Sequence, residues 1–356
     1  MVTKESKRKA MSYLVMLLLI AGIFLIINGG TYKWIGVGFF ALSVIILLIN
    51  SIGTYYYSKG SKFLRGSKPD VKKALPYFEK AVAKGIDANS EIVVGTLLIQ
   101  YGDKEKGRKI LEQYISSSDK KLMGASKVSL SMYWWVERDL EKATKLAEEV
   151  YESGYRDRNL YVNLLTYYLE GGKYTQFKKL LKESREKGLN APATLDLEAA
   201  YYMTQSDWAR CGASLSKLFD ITNPAFIDPY LHEALVSLHY GEWENAVKSL
   251  KAIKDNVELT NTSVYNEAQI DTLIAYIEDK DTRWGFREAV ENDPTVLIKR
   301  SLPEVRRGVE MPECPQKPDF AKVEPPMDEI TDKDEGDVDT SLTADDEEWL
   351  KRHAND

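Results

Sequence analysis

The chain has 356 residues, 44% of them hydrophobic and 29% charged, with a formal net charge of −6. A near-neutral body with an acidic end excludes nucleic-acid binding through a broad basic face. With cysteine only at 211 and 314 there is no disulfide framework, which fits a reducing compartment.

Residues 1–10 form a basic N-terminus, with Lys4, Lys7, Arg8 and Lys9. Two uncharged runs follow, Ala10 to Tyr32 and Trp34 to Ser58. Within residues 11–58 they predict two membrane-spanning helices, over about 11–29 and 34–56, since a span needs ~20 apolar residues at 1.5 Å each. The link from Asn28 to Lys33 is short enough only for a tight turn, and Trp34 and Tyr55 to Tyr57 stand where interfacial aromatic anchors belong. A cleavable signal peptide fits poorly, because no small-x-small site follows the first run and a second span comes at once. Lys59, Lys62, Arg65 and Lys68 follow the second span, whereas the turn holds only Lys33. Basic flanks stay inside, so the expectation is a multi-pass protein of the cytoplasmic (inner) membrane, with N- and C-termini cytoplasmic.

Residues 59–300 carry a repeat. Ala74, Gly107, Ala143, Phe177, Cys211, Ala246 and Thr282 follow one another at 33, 36, 34, 34, 35 and 36 residues. Apolar residues recur four positions after each marker and, except for Ser184 after Phe177, seven positions after it, as in Ala143, Ala147 and Val150, which places them on one helical face. A small residue at the marker position lets a partner helix cross closely. Upstream lies a second helix with paired aromatics, Tyr133-Trp134, Tyr167-Tyr168 and Tyr201-Tyr202. Turn signals such as Gly171-Gly172 and Gly241-Glu242 separate the helices, and Asn292-Asp293-Pro294 closes the last unit.

This pattern resembles the tetratricopeptide repeat (TPR), a helix–turn–helix of 34 residues. The expected fold is all-α: a two-helix transmembrane hairpin, a TPR-like α-solenoid of about seven helix-turn-helix repeats, and a disordered acidic tail. The units starting near Gly124, Arg158, Pro192 and Ile227 match best; Pro69 and Pro76 crowd the first, and Thr282 departs from alanine in the seventh. The order of parts is similar to bacterial membrane-anchored TPR proteins, which implies a scaffold.

Residues 301–356 are read as a Pro-rich then acidic tail without fixed structure. Six of the twelve prolines fall between 303 and 326. From Asp319 to Asp356 there are 14 Asp/Glu and four Lys/Arg, a net of −10, too polar to offset chain entropy by burial. Acids before bases in Thr343 to His353 suggest a short helix over 344–353 that would need a partner, and an intramolecular contact of this tail with the solenoid is expected.

No catalytic motif, cofactor loop or metal-ligand spacing stands out, so catalytic, cofactor-binding and metal residues are expected to be none. His232 and His239 read as ordinary helix residues. The expected working surface is the concave face lined by the first helix of each repeat, a groove for a protein or peptide partner with Asn89, Thr96, Met132, Trp135, Asn159, Asn163, Thr166, Asp196 and Met203. Val128, Val162, Ala200, Asp228 and Leu231 share that register. The leading reading is a non-enzymatic adaptor that organises partners at the cytoplasmic face of the membrane. A second makes the hairpin the working end of a regulatory subunit, with Gly22, Gly29, Gly36 and Gly38 in helix contacts. A third, an enzyme with an unrecognised site, has least support.

Overall fold

The computed structural model describes residues 4–65, 69–189, 192–295, 298 and 300–323, and those residues are mostly α-helices, with no strand among them. The expected tail helix over 344–353 lies outside the described residues.

α1 (Lys4–Asn28) and α2 (Lys33–Ser61) pack as an antiparallel hairpin. A Cβ on Gly22 would lie 2.8 Å from the Phe40 nitrogen, and one on Gly36 2.7 Å from the Gly22 oxygen, so these glycines let the two backbones touch. The outer surface stays apolar, with Leu17, Phe24, Ile27, Trp34 and Leu48 exposed. Both helices are long and apolar enough to cross a membrane.

α2 does not stop where the uncharged run stops. At 29 residues it is about 43 Å long, and its last turns pack on α3 (Val71–Lys84), which makes it the first helix of the first repeat. A Cβ on Gly53 would fall 2.0 Å from the Gly85 carbonyl oxygen. Tyr57 packs on Phe78 with ring centres 5.2 Å apart, Tyr56 joins the same core cluster, and Tyr55 remains exposed. Of the three tyrosines expected as interfacial anchors, two are therefore packed against the solenoid.

Six further pairs follow: α4 (Ala88–Tyr101) with α5 (Lys104–Leu111), α6 (Lys120–Val136) with α7 (Leu140–Glu152), α8 (Arg158–Glu170) with α9 (Tyr174–Glu186), α10 (Pro192–Thr204) with α11 (Trp208–Ile221), α12 (Asp228–His239) with α13 (Trp243–Asn256), and α14 (Glu267–Glu278) with α15 (Arg283–Asn292). Aspartate caps the start of many of them. Asp70, Asp87, Asp103, Asp139, Asp157 and Asp207 each accept the backbone N–H three residues on, a bond worth ~1 kcal/mol. Pro76 lies inside α3 without breaking it, so the crowded first unit still forms.

Each marker from Ala74 to Ala246 is the fourth residue of its pair's second helix, and all six are buried. The seventh marker is different. Thr282 precedes α15 and donates its hydroxyl to the Tyr276 carbonyl at 2.8 Å, while the fourth residue of α15 is the buried Phe286. The turn from Asp279 to Thr282 delays the last helix by about one turn.

Two connections shape the whole. The α13–α14 loop reaches back to the second repeat, where Asn261 donates its side-chain N–H to the Ile99 and Gly102 carbonyls at 2.8 and 3.0 Å. These are carbonyls that the end of α4 leaves without helical partners. The Pro-rich segment 301–323, expected to lack order, is instead laid along α11, α13 and α15. Phe320 sits where a Cβ on Gly212 would be, 2.3 Å away. Lys317 pairs with Glu242 at 2.7 Å, and Arg306 pairs with Glu288.

A groove across the first helices of the repeats

Side chains reach across to polar groups about one repeat away along the first helices. Thr96 meets the Ser129 hydroxyl at 2.7 Å, Asn163 donates to the Val128 carbonyl at 3.2 Å, and the Trp135 indole N–H donates to Glu170. His232 Nδ1 lies 2.8 Å from Asp196 Oδ1, and both residues are buried. Equivalent positions stack because the units stack, so polar contacts link α4 to α6, α6 to α8 and α10 to α12.

Between these rungs lies a groove with a cavity of about 230 Å³. Met132 and Trp135 from α6, Val162, Asn163 and Thr166 from α8, Asp196 and Ala200 from α10, and Asp228, Leu231 and His232 from α12 line it. Five of the nine expected residues thus converge: Met132, Trp135, Asn163, Thr166 and Asp196. The other four do not line it. Asn89 and Asn159 are exposed in the first turns of α4 and α8, outside the stretch of helix that forms the wall. Thr96 is spent on Ser129 and its own Ile92 carbonyl. Met203 is 0% exposed and belongs to the core; the α10 lining stops at Ala200.

The groove is not open along its whole length. Thr262 and Val264 of the α13–α14 loop and Ile298 beyond α15 also line it. Arg300 lies with its guanidinium 3.3 Å from the centre of the Trp135 ring, a cation–π contact. It is 6% exposed, holds a left-handed φ of 60°, and leaves Nε and Nη2 without hydrogen-bond partners.

The electrostatics follow from burial. Burial, helped by Asp196, pushes the Asp228 carboxyl up to about 6, against the pull of His232 and Arg300. Burial disfavours the charged His232, but Asp196 and then Asp228 outweigh it, so its pKa is raised. Burial pulls Arg300 down to about 10 although Glu170 and Asp228 favour its charge. His232, read from sequence as an ordinary helix residue, is thus part of the wall. The missed signal was its spacing from Asp196, one repeat.

Helix pairs that recur at this period, with a buried marker at the fourth position of the second helix, decide the architecture. The fold is a TPR-like solenoid. No known family profile matches the chain, and no curated protein matches it in sequence. Among solved structures, a tetratricopeptide repeat protein from Parabacteroides merdae is similar at 13% identity with a TM-score of 0.49, over 75% of this chain and 100% of that one.

Proposed function

We propose that this protein is a membrane-held adaptor whose TPR-like groove binds an extended or helical segment of a partner protein at the cytoplasmic face. The observation that carries it is the groove itself, built by four successive first helices, with apolar walls and amide, hydroxyl and carboxylate groups at intervals. That mixture suits a peptide bound through side-chain pockets and a few directed hydrogen bonds. Anchoring draws support from the apolar outer surface of the α1–α2 hairpin, a contiguous apolar area that is unfavourable in water and suited to lipid. The basic residues at both ends of the hairpin support the cytoplasmic orientation. The hairpin as the main working end has less support, because Gly22 and Gly36 are used between α1 and α2 themselves.

Peptides selected from a displayed library on the full detergent-solubilised chain provide the test. Val162→Trp, at a half-buried position of the wall, should weaken their binding about tenfold or more, and Lys179→Ala at an exposed position of α9 should leave it unchanged. Equal binding by the tryptophan variant would place the site elsewhere.

A further inference from the structure

The chain places one of its own cations against the groove wall, over the Trp135 ring, and that cation fits badly. Asp196, Asp228 and Glu170 line the groove. Facing them among the described residues are His232, already bonded to Asp196, and Arg300. Without Arg300 the wall would hold three carboxylates against one imidazole, and a half-buried acid cluster needs a compensating cation. Arg300 supplies the charge at a cost. Its backbone is left-handed, which disfavours any side chain other than glycine's. Two of its guanidinium nitrogens are buried without acceptors, and the exposed Arg138 repels it. Two residues before it, Ile298 supplies an apolar contact to the same groove.

We propose that the groove recognises a partner segment carrying arginine or lysine close to a bulky apolar residue, and that Ile298 and Arg300 are the chain's own stand-in for it. The inference rests on the peptide-binding reading above and names the chemistry of the peptide. Charge complementarity selects the occupant: a cation restores the balance that removing Arg300 would upset, while an acidic segment would add a fourth carboxylate to the wall. Once Arg300 leaves, Trp135 offers the same ring face to the partner's cation. Met132, Val162, Ala200 and Leu231 line the cavity that takes the apolar side chain. A segment free of the left-handed strain and able to fill every donor would displace the resident pair.

Three fluorescent peptides of one apolar frame provide the probe: acetyl-Gly-Ile-Gly-Arg-Gly-amide and its versions with glutamine or glutamate at the arginine position. Binding is measured by polarisation to the full chain in detergent, as wild type, as Arg300→Ala, and as Arg300→Ala with Asp228→Asn. The arginine peptide should bind the Arg300→Ala chain about tenfold more tightly than it binds wild type, and about tenfold more tightly than the glutamine peptide binds the same variant. Adding Asp228→Asn should remove most of that preference. Equal binding of all three peptides would overturn the cationic preference and leave the groove reading standing. Binding of none would count against both. Should Arg300→Ala fail to fold, amide exchange on the wild-type chain decides. The arginine peptide should speed exchange at residues 300–302 and the glutamine peptide should not; identical exchange with both overturns the proposal.

Discussion

Asp228 and His232 hold their protons more tightly in the fold than in the unfolded chain, and this gives the groove a pH signature. A group whose folded pKa is raised lets the folded state bind more protons, so stability falls as pH rises through the window. For Asp228 that window runs from the ordinary 3.8 to about 6. For His232 it lies above the ordinary 6.5. Asp228→Asn removes the buried charge and keeps the shape. It should therefore stabilise the protein at pH 8 by on the order of 1–2 kcal/mol and change little at pH 4, as read from thermal melts at the two values. A variant stabilised equally at both would contradict the burial of this carboxylate. At this scale the sequence revealed only part of the site. Met132, Trp135, Asn163, Thr166 and Asp196 were visible because a helical register, once set, fixes which side chains share a face. Arg300 and Ile298 were not, since they reach the groove from a segment with no period of its own. Met203 obeys the same register as Ala200, but the groove ends before it, and only packing decides where a wall stops.

The helices were legible for the reason that they repeat. Stacked units must meet through equivalent positions, so the markers keep their spacing even where the residue type drifts from alanine to phenylalanine or cysteine. Segment 301–323 escaped notice because its order comes from single anchors such as Phe320, Lys317 and Arg306 docking on helices distant in sequence. The last repeat slipped by one turn in the sequence reading because nothing in its pattern distinguishes Thr282 before the helix from a residue inside it. Ala143 and Ala246 are both 0% exposed in their crossings. Enlarging either to leucine should overpack the interface and cost roughly 1–3 kcal/mol. Because each unit leans mainly on its neighbours, hydrogen exchange in Ala143→Leu should rise in α6 to α9 and stay unchanged in α14 and α15. Uniform loss across all of these helices, or none, would count against the register.

At the scale of the whole molecule, the structure joins two parts that the sequence separates at residue 58. α2 runs unbroken from the apolar hairpin into the first repeat, and the contact at Gly53 and Gly85 fixes the one against the other. A solenoid carried on such a helix cannot swing freely as it would on a flexible linker. Its groove is thereby presented at a set height above whatever holds the hairpin, and the Asn261 bridge to α4 keeps the curl of the repeats closed around it. One chain would thus hold a partner-binding groove at a membrane. A photoreactive benzoylphenylalanine placed at Val162 in the groove, and separately at the exposed Lys179 of α9, tests it in native membranes washed with carbonate after irradiation. A discrete crosslinked partner is expected in the washed membrane pellet from Val162 and none from Lys179. Crosslinks only from Lys179, or a chain released by the wash, would contradict it.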